Sequence, residues 1–293
     1  MSKFKSKIED INYQESNSNN EDWWNKNPMT YDWDENLGPI SISPEYLKKI
    51  DDLFGQGHSL VNNPNWPSGK ILEKFIPYQL FENKKILEIG CGAGLVSSHI
   101  AKSGAKLTAI DITSNSINFT KKRFKFENLN ANIIKMDAEN VNFEDNYFDY
   151  IVSWGVIHHS GNMKKILSEI YRVLKPGGKA YIMVYNKKSI RYQVYCRIWL
   201  GVFKLQYLKK SLEEIAGDIT DGYIARHLTI EQFNEISQNF TSKKFSFSDE
   251  KTTILKYLFG IGFVFRYFSI ITRPIEIFLA KRWGWYLEVE LKK

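Results

Sequence analysis

The stretch 87-LEIGCGAG-94 joins a short apolar segment to three glycines that alternate with other residues. The apolar residues predict a strand over Lys85–Ile89, and the residues after the glycines predict a helix that ends near Ser103. Glycines let the backbone turn sharply and let a ligand approach main-chain N–H groups. A dinucleotide-binding turn needs a third glycine where Leu95 stands, and a P-loop needs Gly-Lys-Ser/Thr, so neither kind of site fits.

Strand and helix patterns alternate from this turn as far as Tyr185. Strands are predicted over residues 85–89, 107–110, 133–136, 148–154 and 180–185, and further helices over 114–127 and 163–174. Lys175-Pro176-Gly177-Gly178 is predicted to end the last of these helices in a turn. Such alternation is typical of a parallel sheet with helices on both faces, and right-handed crossovers make it doubly wound. The predicted fold class is therefore α/β and Rossmann-like.

The flanking regions are less regular but carry a few local signals. Ser43 and Pro44 predict the start of a helix that Gly55 ends, and Thr229 with Gln232 predicts a capping box. A helix is also predicted over residues 189–210, and strands over 244–247 and 286–291. The chain is interpreted as a disordered tail (1–21) followed by one domain (22–293), which comprises an N-terminal lid (22–83), a ligand-binding core (84–185) and a cap with the final strands (186–293).

Three acidic residues accompany the glycine turn. Asp111 ends the second predicted strand, where a carboxylate can accept hydrogen bonds from both hydroxyls of a ribose. Asp137 ends the third strand, where a carboxylate and a neighbouring N–H can recognise adenine, and Glu88 lies beside the turn, where it can pair with an ammonium group. A ligand with adenine, ribose and a charged amino acid fits these positions, and S-adenosylmethionine (SAM) is such a ligand.

The chain resembles the class I SAM-dependent methyltransferases in LEIGCGAG, AIDIT, MDAEN, FDYIVSWGVIHH and YRVLKPGG, and within that class it is most similar to ubiquinone/menaquinone-biosynthesis and small-molecule enzymes. The resemblance implies a seven-stranded sheet with the last strand antiparallel, a SAM-binding core, and S-adenosylhomocysteine as product. It places Glu88, Gly90, Gly92 and Gly94 at the methionine part, Asp111 at the ribose, and Asp137 with Ala138 at the adenine. Four further residues of these motifs complete the predicted cofactor site: Cys91, Ile112, Glu139 and Trp154.

The acceptor side is predicted from the segment after the fourth strand and from the flanks. His159 and His158 are candidate general bases, with local packing as the alternative role. The segment lacks the Asn/Asp-Pro-Pro-aromatic signature of enzymes that methylate nucleobase amino groups. No metal site is expected, because the histidine pair has no further ligands at the required spacing. Candidate substrate contacts, for which packing or turn formation is the alternative, are Tyr31, Trp33, Asp221, Tyr223 and Arg226.

Composition narrows the class of protein. The 293 residues are 43% hydrophobic and 25% charged, as is ordinary for a globular protein, and two cysteines exclude a disulfide framework. The absence of a signal-peptide pattern and of a long apolar run favours a cytoplasmic protein. The net charge of +7 and the 15% aromatic content concentrate in residues 191–210 and 256–285. These segments are interpreted as a helical cap or, alternatively, as a surface for peripheral contact with anionic lipid; nucleic acid is not an expected partner.

Methyl transfer from SAM to an oxygen or nitrogen of a small molecule or surface-glycan precursor is the predicted reaction. The first alternative is a lipid-like acceptor, such as a quinone precursor or polar lipid, methylated at a membrane surface. The second is a non-catalytic regulatory protein that binds SAM.

Overall fold

The computed structural model describes residues 13–31, 42–57, 61–62, 69–249 and 269–293. A single mixed sheet forms the centre of these residues. Its strands are β1 (Lys85–Ile89), β2 (Lys106–Asp111), β3 (Asn132–Lys135), β4 (Phe148–Trp154), β5 (Leu174–Asn186), β6 (His227–Leu228), β7 (Ser242–Ser248) and β8 (Tyr286–Lys292).

The strand order is β3-β2-β1-β4-β5-β8-β7. Strands β1 to β5 pair in parallel, whereas β8 is antiparallel to both β5 and β7. This confirms the doubly wound α/β fold with an antiparallel last strand, and adds β6, a two-residue strand that pairs with the end of β5 and was not predicted. The strand order reverses between β1 and β4, and ligands of such sheets bind outside the carboxyl ends of the strands at that point.

Helices cover both faces of the sheet. They are α1 (Tyr13–Lys26), α2 (Pro44–Gly57), α3 (Leu95–Lys102), α4 (Ser114–Phe126), α5 (Met163–Val173), α6 (Leu212–Asp218), α7 (Ile230–Ile236) and α8 (Ser269–Trp283), with a π-helix over Arg191–Phe203. The predicted caps are present, since Ser43 Oγ accepts from Tyr46 N at 3.2 Å and Thr229 forms a capping box with Gln232.

The core consists of two apolar layers, one on each face of the sheet. In β1, Leu87 packs into the layer that α5 and α7 cover, whereas Ile86 packs into the layer that α2, α3 and α4 cover. A strand buried on both faces is continuously apolar, which explains why the parallel strands were predictable from the sequence.

The N-terminal helix corrects the predicted disordered tail. Helix α1 begins at Tyr13, within the segment expected to be disordered, while residues 1–12 lie outside the described residues. Asn115 Nδ2 of α4 donates to Asn25 O at 2.6 Å, and the rings of Trp24 and His159 are 5.1 Å apart. These tertiary contacts stabilise a helix whose polar, Asn-rich sequence has little helical propensity of its own.

The Lys-Pro-Gly-Gly segment also differs from its prediction. Helix α5 ends at Val173, as expected, but strand β5 begins at once at Leu174 and includes residues 175–178. The register between β4 and β5 shifts at Phe148/Tyr150, and Gly177 has φ +78°. The glycines therefore form an irregularity within the strand rather than a separate turn.

None of the described helices is long and apolar enough to cross a lipid bilayer.

A buried guanidinium connects α2, α4 and the glycine turn. Arg123 Nε donates to Ala93 O at 2.7 Å, and its two terminal nitrogens donate to the Asp51 carboxylate at 2.9 and 2.7 Å. Arg123 is 1% exposed and also pairs with Glu127 at 3.1 Å. A charge at such a depth is tolerated only when it is paired and hydrogen-bonded.

We expect Asp51→Ala to lower the free energy of unfolding by about 3 kcal/mol, because it leaves a buried guanidinium short of its bidentate partner. Urea denaturation followed by circular dichroism measures this. Asp145→Ala is the matched control, since Asp145 pairs with Arg172 at the surface and its loss should cost no more than about 1 kcal/mol. Equal destabilisation by the two substitutions would contradict the role given to Arg123.

Candidate functional site

A cavity of about 370 Å³ lies at the carboxyl ends of the central parallel strands, below α1 and α2. Its walls come from the glycine turn, the ends of β2, β4 and β5, and the loop after β3. Of the predicted site residues, the cavity is lined by Tyr31, Glu88, Gly90, Cys91, Gly92, Asp111, Ile112, Asp137, Ala138, Glu139, Trp154, His159 and Asp221. The cavity thus occupies the place where the strand order reverses.

The glycine turn requires glycine at two positions. Gly90 has φ +79°, and a Cβ there would lie 2.2 Å from Val156 Cγ2. Gly94 has φ +76°, and a Cβ there would lie 2.9 Å from Thr120 Oγ1, so it supports the turn without lining the cavity. Gly92, with φ +52°, has no atom within 4 Å of the place of a Cβ, so the main chain is open at this point. A ligand can therefore approach the backbone of the turn at Gly92.

The Asp111 carboxylate is held at the end of β2. Its Oδ1 accepts from Thr113 N at 2.9 Å and from Thr113 Oγ1 at 2.8 Å, while Oδ2 accepts from Gly92 N at 3.1 Å. Burial raises the pKa of Asp111, and the hydrogen bonds from Thr113 and Gly92 oppose this rise. The carboxylate thus has a fixed orientation and a direct link to the glycine turn.

Glu88 is a buried carboxyl beside the turn. Its Oε2 accepts a hydrogen bond from Ser97 Oγ. Burial raises the pKa of Glu88 to about 8, against the effect of the Ser97 hydrogen bond, and the nearby Asp111 charge raises it further. A ligand with a positive charge at this place would favour the ionised form of Glu88.

The loop after β3 provides two carboxylates with different functions. Asp137 Oδ1 accepts from Glu139 N at 2.8 Å, which shapes the loop. The Glu139 carboxylate accepts from Ser160 Oγ at 2.5 Å and from Asn162 N at 2.8 Å. Glu139 therefore connects this loop to the segment that begins α5, in addition to lining the cavity.

Aromatic rings in mutual contact form the other end of the cavity, which we call the aromatic end. Trp154 and Tyr286 have centroids 5.8 Å apart, Tyr286 and Tyr185 6.2 Å, and Tyr185 and His159 5.9 Å. Trp24 of α1 continues the row beyond His159. Sequence reasoning missed Trp24, Tyr185 and Tyr286 as lining residues. The position of Tyr185 at the carboxyl end of a parallel strand was the signal that could have identified it.

The two adjacent histidines differ in their surroundings. His159 lines the cavity, and its Nδ1 lies 2.5 Å from Ile224 O. A carbonyl oxygen can only accept, so Nδ1 carries the proton and Nε2 keeps a lone pair. Burial lowers the pKa of His159 to about 4, partly offset by the Ile224 hydrogen bond. His158 is buried outside the cavity, 4.2 Å from the rings of both His159 and Tyr185, and burial lowers its pKa well below its usual range.

The remaining predicted substrate residues separate into two groups. Tyr31 and Asp221 line the cavity, whereas Tyr223 and Arg226 do not. The Arg226 guanidinium is buried and donates to Ser160 O and, at 3.1 Å, to Gly161 O, so it holds the loop after His159. Trp33 lies outside the described residues.

Carboxylates dominate the charge of this cavity. Its described lining includes the side chains of Glu88, Asp111, Asp137, Glu139 and Asp221, but no lysine or arginine. No group of three or more His, Cys, Asp or Glu side chains in the described ranges is arranged to hold a metal ion. One further polar atom at the cavity, Asn20 Oδ1 of α1, is buried and makes no hydrogen bond within these ranges.

Comparisons with known proteins indicate the class of enzyme. Residues 87–182 match the family described as "Methyltransferase domain". A ubiquinone biosynthesis O-methyltransferase of Coxiella burnetii is 29% identical over 168 residues, which cover 53% of this chain and 68% of the relative. The sterol 4-C-methyltransferase strm-1 of Caenorhabditis elegans is 38% identical over 141 residues, which cover 44% of this chain and 42% of the relative.

A solved structure supports the fold. Phosphoethanolamine N-methyltransferase 2 of Haemonchus contortus, in complex with phosphomonomethylethanolamine and S-adenosylhomocysteine, matches with a TM-score of 0.53 at 18% identity, covering 90% of this chain and 61% of that chain. The prediction of an enzyme rather than a regulatory SAM-binding protein is confirmed by the family match and the relatives. The family match and these relatives identify residues 87–182 as a class I SAM-dependent methyltransferase domain.

Proposed function

We propose that this enzyme methylates an oxygen or nitrogen atom of a small, uncharged or cationic acceptor that binds at the aromatic end of the cavity. The observation that carries the proposal is the continuity of this cavity, which extends from the glycine turn and its carboxylates to the aromatic row beside His159. Both reactants can therefore occupy one continuous cavity, with the reacting atoms between the two ends.

The polar end fits SAM. The open main chain at Gly92 and the fixed carboxylate of Asp111 suit the methionine part and the ribose. Glu88 would pair with the ammonium group, and Asp137 with Ala138 would bind the adenine, because both residues line the cavity beyond Asp111. Bound SAM supplies a methyl group on a positively charged sulfur.

The aromatic end positions the acceptor. Aligning the acceptor atom with the methyl group can account for roughly 7–11 kcal/mol of the barrier. The aromatic rings of this end exclude water and provide apolar contacts. Nε2 of His159 would accept the proton that the acceptor loses, because its other ring nitrogen is committed to Ile224 O. Asn20 Oδ1 offers a further acceptor for a hydroxyl or amine of the bound molecule.

The charge of the cavity favours a neutral or cationic acceptor over an anionic one. A phosphate or carboxylate at the aromatic end would find no lysine or arginine among the described lining residues to pair with. This supports an aromatic or lipid-like acceptor, such as a quinone precursor, over a surface-glycan precursor that carries a phosphate. The Coxiella relative is named as an O-methyltransferase of ubiquinone biosynthesis, and a quinone precursor would be an acceptor of this type.

We expect Asp111→Asn to weaken SAM binding by about tenfold to a hundredfold, since a hydrogen bond to a charged group contributes roughly 1.5–3 kcal/mol. Isothermal titration calorimetry measures the affinity, and circular dichroism verifies that the variant is folded. The matched control is Asp145→Asn, because Asp145 pairs with Arg172 away from the cavity. An unchanged affinity in Asp111→Asn would refute the assignment of Asp111 to the cofactor.

Replacing His159 by Gln should lower kcat by about 10²- to 10⁴-fold while SAM affinity is retained, because only proton acceptance is removed. His99→Gln is the control, since burial also lowers the pKa of His99 to about 4 but its side chain does not line the cavity. In the wild type, kcat/KM should fall as the pH drops through about 4, where His159 becomes protonated, rather than near its ordinary value of 6.5. Wild-type turnover by His159→Gln would show that His159 is not the general base.

The class of acceptor is tested with methyl-labelled SAM and a cell extract separated by anion exchange. Label is expected in the unretained, neutral or cationic fraction, because the described lining of the cavity has no lysine or arginine to bind an anionic acceptor. The Asp111→Asn variant controls for labelling by other enzymes. Label that appears mainly in retained, phosphorylated material would overturn the charge argument and favour the glycan-precursor alternative.

A further inference from the structure

Two neighbouring elements expose an unusual amount of apolar surface. Nine of the eleven large apolar side chains that are exposed in the described residues lie in them. These nine are Ile198, Val202, Phe203, Leu205, Tyr207 and Leu208 at the end of the π-helix and the turn after it, and Ile275, Phe278 and Trp283 in α8. We call residues 197–209 and 273–283 together the cap surface.

The two parts of the cap surface belong to elements that pack on each other. Val194 and Tyr195 of the π-helix contact the same cluster as Ile277 and Ala280 of α8. In α8, Ile277 and Ala280 face this cluster, so Phe278 is directed away from it and is 54% exposed. The exposed apolar residues of the π-helix and α8 therefore lie next to the buried cluster that joins the two elements.

The turn after the π-helix holds its apolar residues outside. A Cβ at Gly201 would lie 2.4 Å from the Tyr207 ring, so the turn folds back closely onto the π-helix. Leu205 has φ +54°, a left-handed conformation that is unfavourable for a leucine. Leu208, at the end of the turn, is 78% exposed. A shaped turn with leucines at its surface is typical of a contact site.

The charges of the cap surface have one sign. Its exposed cations are Arg197, Lys204, Lys209, Arg273, Lys281 and Arg282. The one carboxylate within residues 191–210 and 272–283 is Glu276, which is buried. Apolar side chains surrounded by cations are complementary to the surface of an anionic lipid bilayer, where negative head groups cover the hydrocarbon. Two copies of this chain, in contrast, would place like charges opposite each other.

We propose that the cap surface docks onto a lipid bilayer that contains anionic lipid, with its apolar side chains in the head-group layer. The cap surface is also connected to the cavity, because Cys196 and Leu200 on the buried side of the π-helix belong to the same apolar cluster as Tyr185 and Tyr286 of the aromatic end. Docking would place the bilayer one helix away from the acceptor. Only this delivery of a lipophilic acceptor rests on the proposed function; the docking does not.

Sedimentation of the full-length chain with vesicles tests the docking. The vesicles consist of phosphatidylcholine alone or of equal parts of phosphatidylcholine and phosphatidylglycerol. We expect binding to the anionic vesicles that weakens by about tenfold or more between low and high salt, as screening of several cations requires. Phe203→Glu/Leu208→Glu should reduce it by at least about tenfold, because two inserted apolar groups are lost and two negative charges are added. Leu80→Glu/Phe126→Glu, which alters the other two exposed apolar residues, should bind as the wild type does.

The proposal would be overturned if the wild type did not bind anionic vesicles at low salt, or if both double variants bound them equally. It would also be overturned if analytical ultracentrifugation showed a dimer that only Phe203→Glu/Leu208→Glu dissociates, while the wild type did not bind vesicles. Calorimetry with SAM accompanies each variant. Unchanged SAM affinity shows that a loss of vesicle binding comes from the surface, so failure of docking is distinguishable from failure of the proposed function.

Discussion

The close contact between the glycine turn and the loop after β4 is the constraint on which the rest of the site depends. At Gly90 the backbone approaches Val156 so closely that no side chain fits. The same residue donates from its N–H to Ile110 O at 2.8 Å, which joins the turn to β2. Pairing in the sheet already places the ends of β1, β2 and β4 side by side. Since His159 lies three residues after Val156, the close approach at Gly90 fixes how near the glycine turn comes to the loop that carries His159, and a Cβ at Gly90 would force the two apart.

Burial gives this cavity its electrostatic character. Carboxylates removed from water are costly, and desolvation accordingly raises the pKa of both Glu88 and Asp111. Each of the two oxygens of Asp111 is hydrogen-bonded by the backbone, so the carboxylate is prepared before a ligand arrives. Glu88, whose pKa burial raises to about 8, is mostly protonated near neutral pH and donates or accepts within its contact with Ser97. A cation such as SAM favours its ionised form, so binding of the cofactor and loss of the proton from Glu88 are coupled.

Much of the fold could be predicted because its parallel strands are buried on both faces and separated by clear turn residues. The limits of β1 and β4 agree with prediction for this reason. The acids at strand ends could be predicted because strand ends of a parallel sheet converge. Arg226 could not, because only the fold reveals that its guanidinium meets the carbonyls of Ser160 and Gly161 rather than a ligand. Helix α1 could not either, because contacts distant in sequence stabilise it.

The π-helix shows a deeper limit of sequence reasoning. A prediction from helical periodicity assumes 3.6 residues per turn and assigns faces accordingly. The buried residues of this element are Tyr192, Cys196 and Gly201, separated by four and five positions, as the wider turn of a π-helix requires. An α-helical assignment would rotate the later residues progressively inward. The wider turn instead keeps Ile198, Val202 and Phe203 on the outside while Cys196 stays against the aromatic end. One face of this element is thus buried next to the acceptor end of the cavity, while the opposite face exposes apolar residues. This arrangement comes from the geometry of the π-helical backbone and not from the order of apolar residues alone.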